Sequence, residues 1–369
     1  MRIRAQKDVL ALAIGDVLSV VPSRTTLPIL SNILMEPEGG RLKLSATDLD
    51  ISISQLVDIT PEGQEGMAVP ARKFAEIIRE LPPSEVEVES EEGRIKIRCG
   101  QGIYQLGLAE KGDFPEFPKL ESEKRFSLPG ESLCRMVEKT MFAVSTDPAR
   151  PVLNGVFWQI KGEKMNMAAT DGHRLAKISL EGISSGEMEE EVIVPPKVLH
   201  HLLRLAPGKE VEVFLKPNNL IFNLGSTQLF SRLLEGPYPD YEAVIPKDND
   251  KLLVADRELF TSAIRRVSVL SNQNTHQIRL SLQPHQAGLK AANQELGGEA
   301  KDEVEVEYKG ERIESGYNAY FILDALKRIE GERVVMELKE PLGPVLMREE
   351  TSREGEDYVC LIMPLKLAE

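Results

Sequence analysis

Ala46-Thr47-Asp48, Ala169-Thr170-Asp171 and Ala292-Asn293-Gln294 begin at positions 46, 169 and 292, so each follows the last by 123 residues. The stretch Pro28 to Asn32 returns at the same interval as Pro151 to Gly155. Solenoid repeats are roughly 20 to 50 residues long, whereas a unit of about 100 to 150 residues can bury a core of its own. The sequence therefore predicts three similar domains, over 1–122, 123–248 and 249–369.

The order of elements inside each third predicts the fold class. A helical apolar pattern opens each third, period-two strands follow, and a second helix precedes a last group of strands. The six helical windows are 6–20, 72–80, 131–143, 197–205, 256–269 and 318–329. Two helices with about eight strands per domain are typical of an α+β fold with the helices on one face of antiparallel sheet.

Composition narrows the class of protein. The chain is 41% hydrophobic and 28% charged, as in ordinary soluble globular proteins. It has no apolar run near 18 residues, and its first residues lack the pattern of a signal peptide. Three well-separated cysteines argue against a disulfide framework. These features predict a protein of a reducing cytoplasm.

The net charge of −14 is unevenly distributed along the chain. The helical windows hold 13 Lys and Arg against 9 Asp and Glu, whereas the remainder holds 32 against 50. One interpretation is that helix surfaces commonly carry Lys and Arg. The other is a basic lining of helices, which would attract phosphates without reading their sequence, inside an acidic exterior.

A search for catalytic motifs gives little. The chain contains no phosphate-binding loop, nucleophile elbow or zinc-protease motif, and its five histidines form no metal-ligand pattern. His200 and His201 are adjacent on a predicted helix and so point in different directions. Asp48 and Asp171 lie in Thr-Asp turns, where an aspartate commonly accepts hydrogen bonds from its own backbone. We therefore predict no catalytic residue, no metal and no cofactor.

Several segments together resemble a known family. They are Arg24 to Leu30, Val69 to Phe74, Thr170-Asp171-Gly172-His173-Arg174-Leu175, Tyr238-Pro239-Asp240-Tyr241 and Tyr358 to Leu367. In this order and spacing they resemble the bacterial DNA polymerase III beta subunit, the sliding clamp, over the whole chain. The resemblance implies a head-to-tail homodimer that closes a six-domain ring around duplex DNA, because a head-to-tail contact that closes by rotation makes a ring.

The resemblance also implies two sets of functional residues. The DNA-facing set consists of cations on or after the helices: Arg24, Arg72, Lys73, Arg150, Lys197, Arg204, Arg265, Arg266 and Arg279. The second set forms an apolar groove that receives a short peptide from each partner: Leu153, Thr170, Gly172, His173, Arg174, Leu175, Pro239, Val244, Phe321, Val345, Leu361, Met363, Pro364, Leu365, Lys366 and Leu367. The partners implied are the catalytic subunit of the replicative DNA polymerase, the clamp loader, and other replication and repair proteins.

Some positions depart from the family pattern. Ala243 stands where some relatives carry Arg, Lys366 stands where the ending often has Arg, and Ala368-Glu369 extend past the usual last Leu. For the ring contact, we expect a strand from Ile95 to Leu106, with Arg94, Lys96 and Arg98, to meet the acidic stretch from Glu295 to Glu307.

Two other classes of protein stay open from the residues alone. One is a three-domain enzyme acting on nucleotides or sugars, with a site near His173. The other is a monomeric β-rich binding module. A dimer of roughly twice the 41.1 kDa chain is expected only of the ring.

Overall fold

A computed structural model describes residues 1–118, 120 and 122–367 of the chain. The Ala368-Glu369 extension lies outside the described residues, as do Lys119 and Glu121. The described part contains six α-helices. They are α1 (Lys7–Leu18), α2 (Ala71–Glu80), α3 (Gly130–Thr140), α4 (Pro196–Leu205), α5 (Arg257–Ser268) and α6 (Ala319–Arg328). The six predicted helical windows are confirmed, and their ends differ by a few residues at most.

Twenty-five strands complete the described part of the chain, and their pairings are antiparallel. They are β1 (Arg2–Gln6), β2 (Asn32–Glu38), β3 (Arg41–Thr47), β4 (Ile51–Val57), β5 (Met67–Pro70), β6 (Glu85–Glu91), β7 (Arg94–Cys99), β8 (Gly102–Gly107), β9 (Arg125–Pro129), β10 (Val156–Lys161), β11 (Lys164–Thr170), β12 (Arg174–Glu181), β13 (Glu189–Val194), β14 (Glu210–Lys216), β15 (Asn219–Asn223), β16 (Thr227–Arg232), β17 (Lys251–Asp256), β18 (Gln277–Gln283), β19 (Gln286–Asn293), β20 (Gly298–Glu305), β21 (Glu307–Lys309), β22 (Ile313–Asn318), β23 (Arg333–Leu338), β24 (Val345–Glu349) and β25 (Glu356–Ile362). The α+β class predicted from the sequence is confirmed.

Local chemistry explains where the helices begin and end. Asp256 caps α5 by accepting a 2.8 Å hydrogen bond from the Leu259 amide, and Asn318 caps α6 through the Tyr320 amide at 2.9 Å. Pro196 is the first residue of α4, where its missing N–H costs nothing. The same helix ends before Gly208, which has a φ of +73° that suits glycine.

The helices bury the same face in different repeats. Helix α1 buries Leu10, Ala13, Ile14 and Val17, and α5 buries Phe260, Ala263, Ile264 and Val267. Both sets follow the spacing i, i+3, i+4, i+7 of a helix that packs one stripe on a core. The repetition seen in the sequence is thus a repetition of packing.

The strands form two long and two short sheets. The long sheets have the orders β5-β2-β3-β4-β16-β15-β14-β9 and β13-β10-β11-β12-β25-β24-β23-β17-β21, and the short ones β1-β6-β7-β8 and β20-β19-β18-β22. Each long sheet joins strands of neighbouring repeats, through the β4–β16 pair in one and the β12–β25 pair in the other. The middle repeat therefore contributes strands to both long sheets.

Because of this sharing, the described chain divides into two compact units. The first unit contains residues 1–130 and 200–233, and the second contains 131–199 and 234–369. The predicted domain limits of 122/123 and 248/249 stay predictions. No helix among the described residues is long and apolar enough to cross a membrane. Cys99, Cys134 and Cys360 are free thiols, and all three are buried.

Candidate functional site

The turn from Thr170 to Arg174, in the second unit, is the centre of the predicted groove. Asp171 Oδ1 accepts hydrogen bonds from the amides of His173 at 2.8 Å and Arg174 at 3.0 Å. Thr170 Oγ1 donates to the Arg174 carbonyl at 2.6 Å. The prediction that Asp171 accepts hydrogen bonds from its own backbone is confirmed. Asp48 makes the same pair of bonds, to the amides of Asp50 and Ile51, so its prediction is confirmed as well.

Arg174 fixes this turn to the structure beneath it. Its guanidinium contacts Asp171 Oδ2 at 3.1 Å, Asp324 Oδ2 at 2.5 Å and the Phe142 carbonyl at 2.8 Å. It also lies 4.6 Å from the centre of the Phe321 ring. The side chain is only 11% exposed, so Arg174 supports the turn more than it offers a charge to a ligand.

The carboxyl-terminal tail lies beside this turn, at the predicted groove. The Met363 amide donates to the His173 carbonyl at 2.8 Å, and the Leu365 amide donates to the Gly316 carbonyl at 2.8 Å. The side-chain amide of Gln277 donates to the Lys366 carbonyl at 3.1 Å. These bonds hold the tail extended between β12 and β22.

A buried apolar cluster adjoins the turn and would form the base of the predicted groove. Leu175 and Leu361 lie opposite each other on β12 and β25, and both are 2% exposed. Tyr238 stacks on Phe157 with 4.9 Å between ring centres, and its hydroxyl accepts a hydrogen bond from the Thr170 amide at 3.1 Å. Burial raises the pKa of Tyr241 to about 12, so this phenol stays neutral over the physiological range.

The structure brings the predicted groove residues into one unit but exposes them unequally. Leu153, Leu175, Val345 and Leu361 are buried in the core. Met363 is 40% exposed and Val244 is 56% exposed. Gly172, His173, Pro239 and Lys366 are exposed, and Thr170, Arg174, Phe321, Pro364, Leu365 and Leu367 are partly buried. The buried members can support a ligand, whereas the exposed members can contact one directly.

Sequence reasoning missed several residues that build the groove. Phe157, Tyr238 and Tyr241 form an aromatic cluster beside the predicted groove, and Asp324 anchors Arg174. The Tyr238-Pro239-Asp240-Tyr241 motif was a usable signal for the two tyrosines. No local pattern marks Phe157 or Asp324, because their role depends on contacts between distant segments.

Gly172 links the groove to one of the DNA-facing candidates. Its φ is +91°, and a Cβ at this position would lie 2.9 Å from Arg150 Nη1. Arg150 is exposed and pairs with Asp147 at 3.0 Å. One of the predicted DNA-facing cations therefore lies beside the turn of the predicted groove.

The remaining DNA-facing candidates are distributed over both units. Arg24, Arg72, Lys73 and Arg204 belong to the first unit, and Lys197, Arg265, Arg266 and Arg279 to the second. Ion pairs join Lys73 to Glu76, Arg204 to Asp16, Arg266 to Asp302 and Arg279 to Glu314. Arg24, Arg72 and Arg265 pair with no carboxylate of the described residues. Partial burial lowers the pKa of Lys197.

Arg204 and Arg279 have surroundings that the sequence did not indicate. Arg204 donates to the carboxylate of Asp16 at 2.6 Å and to its carbonyl at 3.2 Å, which ties α4 to the end of α1. Arg279 lies on β18, where it alternates with the buried Ile278 and Leu280, and therefore belongs to the opposite face of that sheet.

Two unpaired sheet edges correspond to the surfaces predicted for the ring contact. The prediction of a single strand from Ile95 to Leu106 is wrong, because this stretch forms β7 and β8 with a turn at Gly100. Strand β8 is an edge strand, and its Ile103 is 60% exposed. The acidic stretch provides β20, which is the edge strand of the other short sheet. Arg98 already pairs with Glu87 and Glu89, so it is not an unpaired charge.

The α+β fold, with two long sheets shared between neighbouring repeats, defines the class of DNA clamps. Models of the N-terminal, central and C-terminal domains of the DNA polymerase III beta subunit match residues 1–118, 127–240 and 242–366. The chain belongs to this family. It is 35% identical to the beta sliding clamp of Caulobacter vibrioides and 33% identical to that of Escherichia coli K12, and each alignment covers all of both chains.

Solved structures give the same result. A sliding clamp from Pseudomonas aeruginosa bound to griselimycin superposes with a TM-score of 0.94 at 32% identity, over the whole of both chains. A DNA polymerase sliding clamp from Bacillus subtilis also superposes with a TM-score of 0.94, at 29% identity and full coverage.

Proposed function

We propose that this protein is a DNA sliding clamp, a processivity factor without catalytic activity of its own that encircles duplex DNA. The observation that carries the proposal is the full-length match to sliding clamps together with a domain fold repeated three times. The rival interpretation, an enzyme with a site near His173, has no support from these relatives. Met363, Val244 and Pro239 are exposed at the predicted groove, and their apolar side chains suit binding of another apolar surface.

Weak attraction to phosphates suits this role. A cation already paired with a carboxylate of its own chain attracts phosphate less strongly than an unpaired one, and water and salt screen what remains. Lys73, Arg150 and Arg266 are paired in this way, whereas Arg24 and Arg265 are not paired with a described carboxylate. This mixture would hold the duplex near the helices and still permit movement along it.

The two unpaired sheet edges support closure of the ring by two copies. Strand β8 of one copy and β20 of the other can pair as antiparallel edge strands, which satisfies their free backbone groups. Ile103 and Tyr104 are exposed on β8, and Val269 and Leu296 are 76% and 64% exposed at the ends of segments that neighbour β20. An apolar contact beside the paired edges would stabilise a head-to-tail dimer.

The groove is proposed to receive a short peptide from each partner. An extended peptide could place apolar side chains against Met363 and Val244, above the cluster that contains Leu175 and Leu361. Met363 suits varied ligands because its unbranched side chain adapts its shape. We propose the replicative polymerase, the clamp loader, and other replication and repair proteins as partners. We propose that these partners bind this protein in the bacterial cytoplasm.

Processive DNA synthesis tests the function. The replicative polymerase, given this protein, the matching loader and ATP, should extend a primer far beyond its unassisted length. The variant Met363→Asp should return the product to the unassisted length, because a buried charge in the groove opposes apolar binding. The matched control Leu342→Asp changes an exposed leucine elsewhere and should act as wild type. Equal products from both variants would contradict the groove assignment.

A further inference from the structure

The methionines of this chain differ sharply in exposure. All eleven lie in the part of the chain that the structure describes, and seven of them are at most 3% exposed. Met1, Met141 and Met188 are half-buried, whereas Met363 is 40% exposed. Met363 is therefore the methionine that a small molecule in solution reaches most readily.

The three thiols offer little competition for an oxidant. Cys99, Cys134 and Cys360 are 6%, 9% and 0% exposed. Burial raises the pKa of Cys134 to about 11 and that of Cys360 to about 12, so both stay protonated at neutral pH. Peroxides react with the thiolate form of cysteine, and these cysteines are both shielded and protonated. The thioether of Met363 is thus the sulfur best placed to react.

The backbone around Met363 is held in place independently of its side chain. The Met363 amide donates to the His173 carbonyl at 2.8 Å, and the Leu365 amide donates to the Gly316 carbonyl at 2.8 Å. The preceding residue, Ile362, ends β25 and is fully buried. A chemical change in the thioether would therefore alter the surface without releasing the tail.

Met363 adjoins a surface that binds through its apolar character. It lies beside the buried cluster that contains Leu175 and Leu361, each 2% exposed. Since those leucines are out of reach of a ligand, exposed side chains such as Met363 and Val244 supply the apolar area that a ligand can cover. The polarity of the Met363 side chain therefore affects binding directly.

Peroxides convert a thioether into a sulfoxide. A lone pair of the sulfur attacks one oxygen of hydrogen peroxide, and the S–O bond forms as the O–O bond breaks. The displaced hydroxide takes the proton of the transferred oxygen and leaves as water, so the sulfur loses two electrons and the peroxide gains them. The product is polar and carries a strong hydrogen-bond acceptor, which opposes contact with an apolar ligand.

We propose that Met363 is a site of reversible oxidation by peroxides, and that its sulfoxide weakens the binding of partner peptides at the predicted groove. Because the groove must receive those peptides, the proposal rests on the proposed function. A methionine sulfoxide reductase draws two electrons from thiols, releases the oxygen as water and restores the thioether. The flexible side chain that adapts to varied ligands also makes their binding sensitive to oxidants.

Mass spectrometry of proteolytic fragments tests the modification site itself. The full-length protein is treated with hydrogen peroxide at concentrations at which circular dichroism shows it to be folded, and the sulfoxide fraction is measured at each methionine. We expect Met363 to be oxidised about threefold faster than Met141 and Met188, because exposure controls access of the peroxide. The seven buried methionines should stay unoxidised.

Binding of the replicative polymerase then tests the consequence of oxidation. The catalytic subunit of the matching polymerase is bound to untreated protein, to oxidised protein and to oxidised protein treated with the reductase. Surface plasmon resonance gives the Kd of each complex. We expect oxidation to raise the Kd about tenfold and the reductase to restore it, since only sulfoxides are reversed in this way.

Variants assign the effect to Met363. Met363→Leu cannot form a sulfoxide, so its Kd should be the same before and after peroxide treatment, whatever its starting value. Met363→Gln carries a polar side chain of similar length and should bind about as weakly as the oxidised wild type. Met188→Leu, at a half-buried methionine of the same unit, is the matched control and should keep the full response to peroxide.

Three results would overturn the proposal. The first is oxidation of Met363 no faster than that of the half-buried methionines. The second is a polymerase Kd that oxidation of the wild type leaves unchanged. The third is the same loss of affinity on oxidation of Met363→Leu, which would place the effect at another residue. Failure of the untreated protein to bind the polymerase is a distinct outcome, because it would contradict the proposed function and with it the effect on binding.

Discussion

Single residues set the shape of the groove through a few directed hydrogen bonds. The Thr-Asp motif predicted the Asp171 turn correctly because an aspartate that bonds its own backbone acts within a few residues of sequence. The stacking of Tyr238 on Phe157 could not be predicted in this way, since it brings together segments that are far apart in the chain. The roles of the predicted groove and DNA-facing residues stay predictions.

Of the predicted groove residues, Arg174 is the one whose replacement should disturb the groove most. In Arg174→Lys, a single ammonium cannot replace the contacts with Asp171, Asp324 and the Phe142 carbonyl. We expect a loss of about 1–3 kcal/mol in the free energy of unfolding, with weaker partner-peptide binding. Urea denaturation and fluorescence anisotropy measure the two effects. Arg353→Lys, at an exposed arginine, is the control, and equal losses in both variants would contradict the role of Arg174.

Elements were easier to predict than the way they associate. The apolar spacing that fixed α5 is local, and the structure has the helix at Arg257–Ser268 within the predicted window of 256–269. The β4–β16 and β12–β25 pairs could not be inferred, because period-two alternation shows that a strand has a buried face but not which strand it pairs with. The sharing of long sheets between repeats was therefore missed.

The short sheet of the first unit should lose stability in acid. Glu87 lies on β6 and accepts hydrogen bonds from Arg2 and Arg4 of β1 and from Arg98 of β7. These bonds lower the pKa of Glu87 from 4.5 to about 2. Because the folded pKa lies below the unfolded one, the stabilisation is present above pH 4.5 and is lost as the pH falls towards 2.

In Glu87→Gln, we therefore expect lower stability than wild type at pH 7 and a difference that narrows steadily from pH 4.5 to pH 3. Urea midpoints at several pH values measure it. Glu62→Gln, at an exposed glutamate of the same unit, supplies the control profile. A difference between Glu87→Gln and wild type that stays constant with pH would contradict this explanation.

A buried ion pair joins α3 to β24 in the second unit. The ammonium of Lys139 contacts the carboxylate of Glu349, and the two residues are only 3% and 9% exposed. In Lys139→Met the carboxylate stays buried without its cation, which should cost about 3–5 kcal/mol of unfolding free energy.

The double variant Lys139→Met, Glu349→Gln should recover most of that loss, because no buried charge is left unpaired. Urea denaturation compares these variants with Lys164→Met, whose pair with Glu181 is exposed and should contribute about 1 kcal/mol or less. Additive losses in the double variant would show that the two residues do not act as a pair.

At the scale of the whole molecule, the proposed ring depends on the edges β8 and β20. Ile103→Glu would place a charge in the apolar contact beside the paired edges and should shift the protein from a dimer towards a 41.1 kDa monomer. Sedimentation equilibrium at micromolar concentration measures the change. Leu342→Glu, at an exposed leucine outside these edges, should stay dimeric, and a dimer of Ile103→Glu would remove β8 from the proposed interface.

Retention on circular DNA tests the central claim, that the protein holds DNA by encircling it. After loading onto a nicked circle by the matching loader and ATP, the protein is washed with 1 M salt and the circle is then cut once. Salt removes phosphate contacts but not a topological link, so we predict retention through the wash and release on cutting. Release by salt alone, or retention after the circle is cut, would contradict encirclement.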